Sequence, residues 1–215
     1  MDFGIYRKAD EIMPQALQDS VAAEAEAILL SVVHTVYQHD TYVDVATGTY
    51  DMDCSGYVGY VLQRVAPLHY QTIPPDSAAG RPLAFDFYDL FSELPPEGAG
   101  GWQPVPPVAD ARRGDIIAWR SELLEPGENT GHVFIVADDP EIFDDGVVSV
   151  LAYDSSNIRH YDDTRGQGGN SPATGVGSGR IHFRPGASGW EFQFGPGDSY
   201  HQCPIAVGRI QPLNV

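Results

Sequence analysis

The chain is poor in basic residues and has no long apolar run, and each shortage excludes a class of protein. Only 12 lysines and arginines stand against 30 acidic residues, which gives a formal net charge of −18. Such a charge repels phosphate backbones and anionic lipid surfaces, so we expect neither a nucleic-acid partner nor a membrane partner. No stretch approaches the roughly 20 apolar residues that a membrane-spanning helix needs.

Cysteine is also scarce, since Cys54 and Cys203 are the only 2 in the chain. They could form one disulfide, but two cysteines in 215 residues do not make a disulfide framework, and a reducing compartment fits better. The N-terminal segment 1–20 lacks the basic, apolar and small-residue regions of a signal peptide. As written, the sequence is therefore expected in the cytoplasm, or in a secreted or periplasmic location if a signal was removed.

The pattern of apolar residues predicts helices first and strands second. Segments 17–37 and 54–65 repeat apolar residues at steps of three and four, and a shorter helix is predicted at 85–94, whereas 38–50 is predicted to be a loop. Short apolar runs separated by Gly, Pro and Asp then predict strands at 114–119, 132–137, 147–153, 180–183 and 205–210. This order is typical of an α+β fold with a mostly antiparallel sheet.

Cys54 lies at the predicted start of the second helix. Asp53 is a preferred N-cap residue, because its carboxylate accepts a hydrogen bond from a free N–H of the first turn. The partial positive charge of a helix N-terminus stabilises a thiolate, the reactive form of cysteine. Ser55 and Gly56 are small residues, so the first turn of the helix would leave space for a substrate to approach the sulfur. The competing interpretation is that Cys54 is a core residue, because it shares the apolar stripe of this helix.

A thiolate at Cys54 needs a cationic partner, because the negative charge of Asp53 opposes it. His132 follows Gly131 at the start of a predicted strand, where polar residues are well placed to line a site. The strands on either side of an acidic turn are predicted to pair as a hairpin, with Ala137 facing residue 147. Asp154 then lies just beyond His132 at the same end.

A carboxylate at that end of the hairpin could accept a hydrogen bond from Nδ1 of His132 and orient the ring. This is what the third residue does in a nucleophile–base–orienter arrangement. The competing interpretation is that Asp154 caps a turn. Two later polar residues are rivals for the third position: Asn157 and His160.

Three motifs in this order resemble those of the NlpC-type cysteine peptidases, a family of the papain-like superfamily. They are DCSGYV at 53–58, RRGDIIAW at 112–119 and GHVFIVAD at 131–138. The resemblance implies a single papain-like domain over 1–215, with its core at about 17–210 and insertions at about 66–112 and 155–200. N-terminal helices would pack on the mostly antiparallel sheet, with the nucleophile at a helix N-terminus.

The resemblance also implies an activity, the hydrolysis of an amide bond through a thioester acyl-enzyme. The expected substrate is a cell-wall (peptidoglycan) peptide or a related small peptide, and no cofactor or metal is implied. Cys54 would be the nucleophile, His132 the base and Asp154 the orienting residue, a position at which the family more often has His, Asn or Gln. The residues expected to hold the substrate or the oxyanion are Tyr42, Asp53 and Ser55.

Other functions remain open at this stage. An acyltransferase, a deamidase or an inactive binding domain could use the same fold. A metal site at His182, His201 and Cys203 is a weaker hypothesis, because His201 and Cys203 lack the usual ligand spacing. The glycine-rich segment 162–180 is predicted to be a loop, and it has no GK[ST] motif for phosphate. We expect specificity to depend on the two insertions, and the sequence implies no particular oligomeric state.

Overall fold

The computed structural model describes residues 4–76, 78–121, 130–167, 173–187 and 189–213. Within these ranges it contains α-helices that we number along the chain: α1 (Gly4–Ser31), α2 (Cys54–Val65), α3 (Pro67–Tyr70) and α4 (Ala84–Glu93). A 3-10 turn lies at Val108–Asp110. None of the helices in the described part of the chain is both long and apolar enough to cross a membrane.

The strands belong to a small hairpin and a large sheet. The hairpin joins β1 (Tyr42–Asp44) to β2 (Thr49–Asp51), where the sequence predicted a loop. The large sheet contains β3 (Trp102–Pro104), β4 (Ile116–Arg120), β5 (Gly131–Val136), β6 (Glu141–Ile142), β7 (Val148–Ser156), β8 (Gly175–Gly186), β9 (Gly189–Gln193), β10 (His201–Gln202) and β11 (Ile205–Ile210).

The large sheet is antiparallel at every pairing among the described residues. Its order is β10-β9-β8-β7-β5-β4-β11-β3, with β6 paired to β7 beside this path. Helices and a large antiparallel sheet confirm the predicted α+β class. The glycine-rich segment is not a loop throughout, because β8 begins at Gly175; residues 168–172 lie outside the described part.

The first helix differs from its prediction at both ends. It begins at Gly4 and ends at Ser31, whereas apolar periodicity predicted 17–37. After Ser31 the backbone is extended and bonds to β2, as the N–H of Tyr50 donates to the carbonyl of His34 at 2.9 Å. These bonds to a distant strand replace the helical ones, and the β-branched residues of this stretch tolerate extended backbone well.

The two faces of the large sheet carry two separate apolar cores. The helices cover one face, where Val133 and Ile135 of β5 pack with Cys54 and the apolar side of α2. The alternate residues of the same strand, Phe134 and Val136, lie in a second core on the opposite face. Because side chains alternate along a strand, His132 shares the second face with Phe134.

The pairing of β5 with β7 is displaced by four residues from the predicted register. Ala137 donates from its N–H to the carbonyl of Leu151 at 2.8 Å, whereas the hairpin prediction placed it opposite Val147. The reason is that β6 occupies part of the connection and pairs with the start of β7, so the two strands do not form a simple hairpin. An even displacement leaves every side chain on its predicted face, so Asp154 remains on the face of His132.

Candidate active site

Cys54 is the first residue of α2 and lies at its N-terminus, as predicted. Asp53 caps the helix, and its Oδ1 accepts a hydrogen bond from the N–H of Gly56 at 2.7 Å. The side chain of Ser55 donates to the same oxygen at 3.0 Å. Cys54 carries a free thiol and is 4 % exposed. The carboxylate therefore sets where the helix begins and so where the sulfur lies.

Arg81 contacts this helix start and was not anticipated from the sequence. Its Nη2 donates to Oδ2 of Asp53 at 2.6 Å, and its Nη1 donates to Oγ of Ser55 at 2.6 Å. It also donates to the carbonyl of His39 at 2.9 Å. The negative charge of Asp53, which would oppose a thiolate at Cys54, is thus compensated by a guanidinium from segment 66–112.

His132 and Asp154 are in direct contact, as predicted, but through the other ring nitrogen. Nε2 of His132 donates to Oδ2 of Asp154 at 2.7 Å, whereas the prediction used Nδ1. Both side chains are buried, at 7 % and 0 % exposure. Because Nε2 is engaged with the carboxylate, Nδ1 is the nitrogen left for any proton transfer.

Asp154 has two further cationic or hydrogen-bonding neighbours. Nε2 of His160 donates to its Oδ2 at 2.8 Å, and Nη1 of Arg165 lies 2.9 Å from its Oδ1. Asp163 in turn binds Nε of Arg165 at 2.8 Å. Burial raises the pKa of Asp154, but the charges of Arg165 and His160 and the hydrogen bonds of His132 and His160 hold it well below its usual range. Asp154 is therefore an anion at neutral pH.

His160 and Asn157, the two alternatives to Asp154 as the third residue of the site, do not contact His132 in its place. His160 contacts Asp154 rather than taking its place against His132, and Asn157 is exposed at the rim of a cavity. The structure has room for the two supporting side chains because the facing strand has glycines. A Cβ at Gly179 would lie 2.6 Å from Cβ of His160, and one at Gly177 would lie 2.7 Å from Cγ of Arg165.

The pKa of His132 reflects both Cys54 and Asp154. Burial lowers it, but the negative charge of Cys54 and the hydrogen bonds of Asp154 and Cys54 raise the pKa of His132 to about 9. His132 is therefore a cation at neutral pH when the thiol is ionised. From the sequence, a thiolate at Cys54 is expected to need a positive charge of this kind.

Tyr37 is a second site residue that sequence reasoning missed. Burial, the charges of Cys54 and Asp53, and a side-chain hydrogen bond with Cys54 all raise the pKa of Tyr37, so its hydroxyl keeps its proton. The expected tyrosine was Tyr42, which lies on β1 and is 56 % exposed. Tyr37 was overlooked because the segment after Ser31 was predicted to be helical and is extended.

A cavity of about 570 Å³ opens beside His132. Its lining includes five residues with rings and one isoleucine: Tyr37, Trp119, His132, Phe192, Phe194 and Ile158. The rings of Trp119 and Phe192 are stacked, with centroids 4.1 Å apart. Phe194 lies edge-on to His132, with centroids 5.5 Å apart. The imidazole therefore borders a space that could hold part of a substrate.

His132, Asp154 and His160 also have the side-chain types of a metal site. Their potential ligand atoms lie within 4.8 Å of one another. Both imidazoles, however, are at direct hydrogen-bond distance from Asp154, at 2.7 and 2.8 Å, and Arg165 lies against its other oxygen. A metal ion would have to break both hydrogen bonds and sit close to a guanidinium, so the cluster fits an oriented imidazole better than a metal centre.

No family model, no curated protein and no solved structure matches this chain. The resemblance to NlpC-type peptidases therefore stays a prediction that depends on its motifs. Those motifs fall at the start of α2, at the turn into β4 and along β5. The first and the third of them contain Cys54 and His132.

Proposed function

We propose that the protein is a cysteine hydrolase, a peptidase or amidase, that cleaves an amide bond through a thioester acyl-enzyme. The observation that carries the proposal is the position of His132. Its buried imidazole is hydrogen-bonded to an ionised carboxylate, and its pKa responds to the charge of Cys54 at the start of a helix. These are the neighbours that a nucleophilic cysteine and its acid–base partner require.

In the first half of the reaction, the thiolate of Cys54 attacks the amide carbonyl carbon and forms the C–S bond. The imidazolium of His132 gives its Nδ1 proton to the nitrogen as the C–N bond breaks, and the amine leaves. In the second half, neutral His132 takes a proton from water, whose oxygen attacks the thioester. The C–S bond then breaks and restores the thiolate and the imidazolium.

The oxyanion of each tetrahedral intermediate needs hydrogen-bond donors. The N–H groups in the first turn of a helix have no partner inside that helix, so the backbone N–H of Cys54 is one donor. The hydroxyl of Tyr37 is the second, because its raised pKa keeps it protonated beside Cys54. Asp53 and Ser55 hold the helix start in place.

We further propose a papain-like architecture, with α2 packed against β5 and β7 so that the nucleophile and the base meet at one end of the sheet. The substrate class that the resemblance implies is a small peptide of the cell-wall type. An acyltransferase or deamidase would use the same first step, and only the acceptor of the acyl group would differ.

An activated ester tests the acyl-enzyme without knowledge of the natural substrate. With p-nitrophenyl acetate we expect a stoichiometric burst of p-nitrophenolate and an acetyl group on Cys54, located by mass spectrometry of the intact and digested chain. Cys54→Ala should abolish the burst, while the matched variant Cys203→Ala should keep it. Acetylation of Cys203 instead of Cys54, or no burst from the natural chain, would overturn the proposal.

A further inference from the structure

The cavity beside His132 lies to one side of the proposed nucleophile. Among the described residues, its lining includes His132 and Tyr37 but not Cys54. In the proposed reaction, His132 gives its proton to the leaving amine, so a substrate group next to His132 belongs to the amine side of the scissile bond. The cavity is therefore on the leaving-group side, while the acyl group stays bonded to the sulfur.

We propose that this cavity binds the leaving group of the substrate and that it takes an uncharged group with a planar ring. The inference rests on the proposed function and adds a substrate class to it. A leaving group that carries an ammonium is not the group that this cavity favours.

The walls support a ring-bearing group. Trp119, Phe192 and Phe194 form a cluster of rings, with centroid distances of 4.1 Å, 5.5 Å and 5.2 Å between the three pairs. Ile158 lines the same space and is 41 % exposed, so its side chain is available to a ligand. Aromatic and aliphatic walls of this kind bind planar apolar groups by dispersion and by burial of apolar surface.

The charges around the cavity disfavour a cationic group. Arg120 is paired with Asp89, and one of its nitrogens lies 2.6 and 2.8 Å from the two carboxylate oxygens. Asp198 accepts a hydrogen bond from His201 at 2.8 Å. Each of these lining charges already has a partner, and the imidazolium of His132 would repel an ammonium.

Several of the residues that line the cavity come from a chain segment that the resemblance does not cover. Ile158, Phe192, Phe194 and Asp198 all lie within the 155–200 insertion. Motifs shared with a family can thus preserve the nucleophile and base, while the insertion sets a different preference for the leaving group.

Binding to the 215-residue chain with the substitution Cys54→Ala tests the proposal without turnover. The probes are N-acetylphenylalanine amide, N-acetylalanine amide and Nα-acetyllysine amide, and the readout is the indole N–H signal of Trp119 in NMR titrations. We expect the phenylalanine probe to bind about tenfold more tightly than the alanine probe, because the ring buries more apolar surface. The lysine probe should bind no better than the alanine probe.

Two surface variants separate the cavity from nonspecific binding. Ile158→Ser should weaken the phenylalanine probe about fivefold. Ile142→Ser removes an isoleucine that is 62 % exposed on β6, away from the cavity lining, and should leave binding unchanged. Equal effects of the two variants, tighter binding of the lysine probe, or no binding of any probe would overturn the proposal.

The outcomes also distinguish this proposal from the proposed function. The predicted order of probes without an acyl-enzyme burst from the natural chain would leave the cavity preference standing and reject the hydrolase. A burst at Cys54 with the order of probes reversed would reject the ring-binding cavity and leave the hydrolase standing.

Discussion

Two aspartates near Cys54 have opposite roles, and their neighbours decide which. Asp53 caps α2 and is paired with Arg81 at 2.6 Å, so it holds the helix start without presenting an uncompensated charge to the sulfur. Asp154 is fully buried, and His132 is hydrogen-bonded to it. The first carboxylate fixes the helix start at Cys54, and the second one keeps the imidazole charged and oriented.

Arg81 can be tested through the reactivity of the thiol. Arg81→Gln leaves the charge of Asp53 without its cation, which makes a thiolate at Cys54 less favourable. We expect alkylation of Cys54 by iodoacetamide near about pH 6 to slow about fivefold, equivalent to roughly 1 kcal/mol of lost charge compensation. The matched control is Arg64→Gln, since Arg64 lies on the same helix and pairs with Glu24. Equal rates for the two variants would contradict this role of Arg81.

The contribution of Asp154 can be read from the titration of His132. Asp154→Asn removes an anion and weakens a hydrogen bond to the imidazolium, so the pKa of His132 should fall below its value of about 9. The measurement is an NMR titration of the ring protons. Asp51→Asn is a suitable control, because Asp51 lies 3.6 Å from a different histidine, His34. An unchanged pKa of His132 in Asp154→Asn would show that the carboxylate does not act on the ring.

At the scale of secondary-structure elements, β8 needs glycine at the two positions that face Arg165 and His160, the side chains that contact Asp154. Gly177→Ala or Gly179→Ala would place a methyl group within 2.7 or 2.6 Å of the side chains of Arg165 and His160. We expect each variant to lose about 1–3 kcal/mol of unfolding free energy, the usual cost of overpacking a core. Urea denaturation measures the loss. Ser178→Ala, between the two glycines, adds no atom and should cost less; equal losses in all three variants would contradict the steric argument.

Local signals in the sequence were sufficient to predict some secondary-structure elements but not the pairing of distant strands. The cap at Asp53 and the apolar period after it predict α2 correctly, because both act within one turn or two. The pairing of β5 with β7 was displaced because β6 forms in the connection, and pairing between distant segments leaves little local signal.

The candidate site was predictable only in part for the same reason. The predicted register placed His132 and Asp154 at the same end of the strands, and their contact survives the error in register because an even displacement preserves the faces. Tyr37, Arg81 and Arg165 reach the site from an extended segment and from segments 66–112 and 155–200. No periodicity or motif marks such residues, since their roles depend on tertiary contacts alone.

At the scale of the whole molecule, the excess of acidic residues sets the response to salt. A net charge of −18 repels itself in the folded state, and salt screens this repulsion. We expect the Tm to rise by about 2–5 °C when ionic strength increases from about 0.01 to 0.15 M, as the Debye length falls from about 30 to 8 Å. Differential scanning calorimetry measures it. A Tm that falls over this range would mean that surface ion pairs outweigh the repulsion.

The most direct test of the central claim is the rate at which iodoacetamide alkylates Cys54 as a function of pH. The account predicts that Cys54 in the folded chain reacts faster than the same cysteine in the unfolded chain at about pH 6, well below the ordinary thiol range. His132→Gln should remove this advantage, and Cys203→Ala should retain it. A Cys54 that reacts in the folded chain with the pH dependence of an unfolded thiol would contradict the account.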